Sequence, residues 1–193
     1  MILPTTYMGS VEWYRLFLAD PSDVQIEVME SFPKQTYRNR CTITVPHDSQ
    51  SYCQSSIANS LTLTVPVKRA DCKQLTRDVE ISYQQRWQHQ HWIALVSAYK
   101  RTPYFDYYAD FFRPFYEQET RFLVDFNEKI HEVIHQLIRN SEFKTQNSKF
   151  TTDWSGLDLE PCFGNGQSIL DTLFEYGPET IIKLNNANSI KLV

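Results

Sequence analysis

In the first half of the chain, apolar residues recur at every second position in four places. Val24, Ile26 and Val28 alternate with Gln25 and Glu27, and residues 41–45 read Cys-Thr-Ile-Thr-Val. Leu61, Leu63 and Val65 alternate with Thr62 and Thr64, and Val79, Ile81 and Tyr83 repeat the pattern. A period of two turns one face of an extended segment inward and the other toward water, so each run predicts a half-buried strand. Ile2 and Leu3, ending at Pro4, predict another short one. One helical stretch lies among them. Ser10 stands at the N-cap position, Val11, Tyr14, Phe17 and Leu18 share a helical face, and Asp20-Pro21-Ser22-Asp23 is the stop. The polar residues 47–60 predict a loop tip.

The period changes in the second half. Trp87, His91, Ala94, Leu95 and Ala98 fall on one helical face, and that helix must end before Pro103, because a residue preceding proline avoids the helical region. Tyr104, Tyr108, Phe111 and Phe115 predict a second helix, interrupted at Pro114. From about Thr120, the residues Leu123, Phe126, Ile130, Val133, Ile134, Leu137 and Ile138 form a wide apolar stripe on the longest helix. Residues 140–153 are polar and predict an exposed connection. Ser168-Ile-Leu-Asp171 predicts a capping box opening a last helix, with Gly177-Pro178 as its stop. Strands early and helices late predict a single α/β domain over residues 1–193, a mixed sheet from the N-terminal half covered by helices from the C-terminal half.

Composition narrows the function classes. A chain of 193 residues buries one core, and 41% hydrophobic with 14% aromatic residues is the make-up of a folded chain. The net charge of -4 excludes the global positive charge of nonspecific nucleic-acid binders, so no nucleic-acid partner is expected. Only 5 glycines are present, and Ile169 stands where the third glycine of a dinucleotide loop opened by Gly164 and Gly166 would fall. A serine-hydrolase elbow is missing too, since Asp153-Trp154 precedes Ser155-Gly156. Cys41, Cys53, Cys72 and Cys162 are scattered without ligand spacing and predict free thiols. Met1-Ile-Leu-Pro4 lacks a basic segment and a long apolar one, and no window approaches the ~18 apolar residues of a membrane span. The expectation is a cytoplasmic protein with no membrane span and no cofactor.

Three constellations are able to carry chemistry. His131-Glu-Val-Ile-His135 matches H-E-x-x-H on a predicted helix, the spacing of a zinc peptidase. However, Ile138 and Ser141 occupy the positions of the usual glycine and third histidine, Lys129 replaces an uncharged residue, and Glu142 lies beyond the helix end. His131 and His135 are therefore expected to flank the apolar stripe as half-exposed partners of Glu128 and Glu132, with no bound metal; a zinc hydrolase is the remote alternative. The second constellation, Lys34-Gln-Thr-Tyr-Arg-Asn-Arg40, interleaves three cations with an aromatic ring and two amides, and suits either an anionic ligand or a solvated edge. The third runs through Trp87-Gln-His-Gln-His-Trp92 to Tyr99 and Tyr104-Phe105. In it His91 is either a hydrogen-bonded core residue or a proton-exchanging group, while His89 is solvated.

In order along the chain, Arg38-Asn39-Arg40, Leu63-Thr-Val-Pro-Val67, Trp87 with His91-Trp92, Tyr99 with Pro103-Tyr-Phe105, and residues 123–127 together resemble the WbqC-like family. Ser168-Ile-Leu-Asp-Thr-Leu-Phe-Glu-Tyr-Gly-Pro178 is similar to the closing pattern of its shorter branch. The resemblance implies a bacterial cytoplasmic protein of surface-polysaccharide (O-antigen type) biosynthesis, binding an anionic sugar nucleotide or acyl donor. With the cationic segments beside strand ends, it makes Lys34, Arg38, Asn39, Arg40, Lys68, Tyr99 and Tyr104 the expected ligand-binding residues and His91 the expected acid/base. The family's opening, Gln-Pro-Tyr-Phe-x-Pro-x-x-x-Tyr-Phe, is reduced here to Leu3-Pro4 before Trp13-Tyr14, so no ligand role is assigned to the N-terminal turn. The alternative is a non-catalytic binding or assembly protein that docks a partner on an aromatic surface around Tyr104, Tyr107 and Phe111.

Overall fold

A computed structural model describes residues 1–19, 24–33, 35–45, 59–68, 74–139 and 167–186. Lys34, Glu142, Cys53, Cys72, Cys162, the stop at residues 20–23 and the connection at 140–153 lie outside the described residues, as does most of the loop tip predicted at 47–60. The chain opens with β1 (Ile2–Pro4), crosses through α1 (Val11–Ala19) and returns as β2 (Gln25–Glu27), parallel to β1 with Leu3 opposite Ile26. Ser10 starts α1 as its sequence position predicts, its Oγ accepting from the Trp13 amide at 3.2 Å. The helix buries Trp13, Tyr14 and Leu16 fully, with Val11, Phe17 and Leu18 at the margin.

Next, β3 (Arg40–Val45) and β4 (Asn59–Thr64) pair antiparallel, with Cys41 opposite Leu63 and Ile43 opposite Leu61. Cys41, Ile43 and Leu63 are buried, as their alternation predicts. The run at 79–83 forms no strand. Val79 and Ile81 are buried, but the backbone there is held by two loops: Lys68 N donates to Glu80 O and Ser82 N to Pro66 O on one side, while Ile81 N donates to Arg121 O on the other. Pro66 has no N–H to extend a ladder, so the pairing stays as isolated bridges. The α/β class and the helical cover stand; the extended half is divided between a parallel pair, an antiparallel pair and bridges.

The cover consists of α2 (Trp87–Tyr99), α3 (Phe105–Glu117), α4 (Leu123–Arg139), α5 (Ile169–Tyr176) and, after a 3-10 turn at Gly177–Glu179, α6 (Thr180–Asn186). Pro114 does not interrupt α3. It sits in the last turn, where a missing N–H costs one bond, and Gln118 N closes on Pro114 O at 3.0 Å. Ser168 caps α5 by accepting from Leu170 N, but Asp171 does not complete the expected box. Its carboxylate instead reaches β3 and α2, accepting from Thr44 N at 3.1 Å and Tyr99 Oη at 2.8 Å. The start of α5 is fastened to the front of the molecule by Ser168 N to Thr42 O and Ile169 N to Gly9 O, both 3.0 Å. Its end requires glycine. Gly177 has φ +51°, and a Cβ there would lie 2.4 Å from the Tyr104 ring. The buried side chains from both halves form one cluster. No helix among the described residues is long and apolar enough to cross a membrane.

Candidate functional site

Because β1 and β2 run parallel, their C-terminal ends lie at the same edge, where ligands of α/β units commonly bind. A cavity of about 500 Å3 lies there. Thr5 and Thr6, which follow β1, form one wall with Ile26 and Val28 at β2, and α1 adds Trp13 and Phe17. The facing wall is α4, which presents Asn127, Glu128, His131, Glu132 and His135. These fall at i, i+1, i+4, i+5 and i+8, a polar face beside the apolar stripe that anchors the helix.

Asn127 is only 2% exposed. Its Nδ2 donates to Thr5 Oγ1 at 3.2 Å and to Arg38 O at 2.8 Å, which uses both protons, while Oδ1 has no partner among the described residues. His131 Nδ1 lies 3.1 Å from Tyr14 Oη. Tyr14 is fully buried, and burial pushes its phenol above the ordinary value, so it keeps its proton. That proton has His131 Nδ1 as its only acceptor among the described residues. His131 Nε2 is buried and without a partner among the described residues, as is His135 Nε2. Burial, and next the charge of His135, pulls the His131 pKa down to about 4. His135 is lowered too, by burial and then by Arg139. The His131 ring is set edge-on to Trp13 and Phe17, with centroids 4.7 and 4.4 Å away, and parallel to His135 at 6.2 Å.

The H-E-x-x-H residues thus lie against aromatic rings and a cavity; His131 bonds Tyr14 where Glu128 or Glu132 was expected. Among the described residues no group of three or more His, Cys, Asp or Glu side chains is placed to hold a metal.

The WbqC-like protein family matches residues 26–152. The chain belongs to the WbqC-like protein family. Neither a curated protein nor a solved structure matches it. The match takes in β2 and α4, and therefore one wall of the cavity and part of the other, while Thr5, Thr6, Trp13 and Phe17 precede it.

In this WbqC-like chain the described side chains expected from sequence to bind a ligand do not line that cavity. Arg38 is 3% exposed and forks onto Glu30, with Nη2 at 2.7 Å from Oε2 and Nε bonded to Oε1. Asn39 is buried and donates to Val65 O at 3.0 Å. Arg40 is half-buried on β3, its Nε without a partner among the described residues. Lys68 is exposed and donates to Glu80, which also accepts from Arg121, making a surface ion trio. The Lys68 hydrogen bond, followed by that from Arg121, holds the Glu80 carboxyl below its usual range.

His91 is a core residue of the family chain, 5% exposed. Its Nδ1 lies 2.9 Å from Tyr7 Oη, which in turn lies 2.9 Å from Tyr116 Oη, and a second bond reaches the Thr64 backbone. Burial pulls its pKa down to about 4. Tyr99 is buried, and burial with the neighbouring Asp171 charge raises its phenol. It lines a shallower pocket of about 360 Å3 with Thr44 and Asp171. Tyr104 stacks on Tyr108 at 6.1 Å and packs over Gly177. Arg38 touches the cavity wall through its carbonyl, which accepts from Asn127. Thr5 and Thr6 carry no motif, and Asn127 closes the 123–127 segment. The readable signal is Asn127 itself, an amide beside Phe126 on the otherwise apolar face of α4.

Proposed function

We propose that this WbqC-like protein acts in the cytoplasm in the assembly of a bacterial surface polysaccharide of O-antigen type, and that the cavity between α1 and α4 holds the sugar part of an activated donor. The cavity is within the ~300–1,000 Å3 range of small-molecule sites and combines aromatic walls with a few polar groups. One observation carries the reading: the rings of Trp13 and Phe17 and the polar side chains of Thr5, Thr6, Glu128 and Glu132 line the same cavity. Aromatic rings cover the apolar face of a sugar, and such polar groups take its hydroxyls. Glu128 and Glu132 at the cavity disfavour the anionic end of a donor there. Among the expected cations Arg38 and Lys68 are already ion-paired, while Arg40 keeps an Nε without a partner among the described residues.

A thermal-shift panel of nucleotide sugars and acyl donors tests this. A true ligand at a hundredfold over Kd stabilises by about 2.7 kcal/mol, a rise of roughly 5–10 °C at this chain length. No rise with any nucleotide sugar would sink the sugar-donor reading.

A specific observation supports a second reading, the non-catalytic assembly protein. On α3, Phe105, Phe112 and Tyr116 pack inward, but Tyr107 and Phe111 are 75% and 52% exposed and four residues apart, an apolar ridge fit to meet a second copy. Sedimentation velocity should then show association that a Tyr107→Ser, Phe111→Ser double variant loses. A monomer at every concentration removes the reading.

A further inference from the structure

We infer that the sugar taken by the α1–α4 cavity carries a free amino group, held as an ammonium between the carboxylates of Glu128 and Glu132; this rests on the cavity being the substrate site. Both glutamates line the cavity, and neither has an ion-pair or hydrogen-bond partner among the described residues. Both are exposed, so their carboxylates are open to a ligand. They are four apart on α4, where side chains on one face are about 5–6 Å apart at Cβ, and two like charges at that spacing repel.

The rest of the described lining brings no compensating charge. Thr5, Thr6 and Asn127 are neutral, and His131 and His135 stay neutral at pH 7 because burial disfavours their charged forms. The described cations of the neighbouring elements are engaged or turned aside. Arg38 forks onto Glu30, and Arg15 pairs with Glu12. Lys129 follows Glu128 by one position, which turns it off this face, and Arg139 lies a turn beyond His135 without lining the cavity. The cavity is therefore a negative depression, and its walls include Trp13 and Phe17, a kind of surface that also attracts a cation more than an anion.

A sugar hydroxyl or an acetamido N–H gives a carboxylate one ordinary hydrogen bond. An ammonium brings three donors and a charge, enough to bridge both glutamates and relieve their repulsion. A nucleotide-activated amino sugar is also bipolar, with its cation on the sugar and its anions on the diphosphate. In the field of Glu128 and Glu132 it has one favourable orientation, sugar inward and diphosphate outward.

Calorimetric titration of the full chain at pH 7 with matched uridine-diphosphate sugars, bearing amino, hydroxyl or acetamido at the same carbon, separates these cases. The amino form should bind about five- to tenfold tighter than the hydroxyl form. The Glu128→Gln, Glu132→Gln double variant keeps the shape of two exposed side chains and removes both charges, so it should bring that ratio near one. Each single variant should lower the ratio part-way, and the two single variants stand in if the double one does not fold. Equal affinities for the amino and hydroxyl forms, or tightest binding of the acetamido form, overturn the ammonium assignment while the cavity remains a sugar site. A preference for the amine that survives in the glutamine variants overturns it as well. No binding of any of these sugars removes the reading of the cavity as the site, and the inference with it.

Discussion

Between pH 7 and pH 5 the protein is expected to lose about 4 kcal/mol of folding stability, chiefly through two buried imidazoles. His91 and His131 titrate near pH 4 in the folded chain because burial disfavours their charged forms, while an unfolded histidine titrates near ~6.5. As the pH falls below that value the unfolded chain takes up protons that the native state refuses. Stability is therefore fully present above pH ~6.5 and is lost as the pH falls toward about 4, at up to ~1.4 kcal/mol per pH unit for each ring. Over the stated interval each ring accounts for about 2 kcal/mol. His135, also lowered, adds in the same direction. Asp171 opposes it: burial raises its pKa, so the native state takes up that proton more readily than the unfolded one as the acid range is entered. Urea unfolding at pH 7, 6 and 5 measures the slope, and His91→Gln should remove about half of it. A flat profile over this interval would mean that both rings reach solvent in the folded chain.

Trp13→Ala should destabilise the fold by about 3–5 kcal/mol, lowering Tm by roughly 6–20 °C. The side chain is 2% exposed, its indole lies parallel to Phe17 at 5.5 Å, and Nε1 donates to Pro4 O at 2.9 Å, the last residue of β1. Truncation removes the largest apolar surface between α1 and α4 and leaves that carbonyl unpaired. Trp13→Phe retains most of the ring and loses the bond, at a smaller cost of about 1–2 kcal/mol. A loss below ~1 kcal/mol for the alanine variant would show that α1 does not pack through this residue as described.

Local patterns are legible where the local pattern decides the structure. Alternation placed β3 and β4, and the Ser10 and Ser168 caps are where short polar side chains precede apolar runs. The pattern at 79–83 misled because alternation reports which side chains are buried; ladder formation depends on the partner, and here that partner carries Pro66. Arg38 and His91, read from charge and aromatic content, are held inward by partners that no periodicity links to them. Glu30 claims Arg38 from beyond β2, and Tyr7 meets His91 across a separation of 84 residues. The cavity walls are distant in sequence for the same reason: Thr5, Trp13, Ile26 and Asn127 become neighbours only when the β1–α1–β2 unit docks on α4. The local marks of that site are the H-E-x-x-H residues His131 and His135 and the amide Asn127 among the buried residues of α4.

The fastening of α5 to the front of the molecule sets a clock during synthesis. Gly9 and Thr42 offer carbonyls whose donors are the amides of Ile169 and Ser168, so the early strands cannot be closed over until about 120 further residues have been made. At ~5–20 residues per second that is a wait of roughly 6–25 s. For that time the inward faces of β1 and β3 have no C-terminal lid, and the nascent chain is a client for whatever binds apolar segments at the ribosome exit. The length of this vulnerable interval is governed by how much chain separates residue 42 from residue 168 and by the speed of translation, so slow codons between them would lengthen it without altering a single contact of the finished protein.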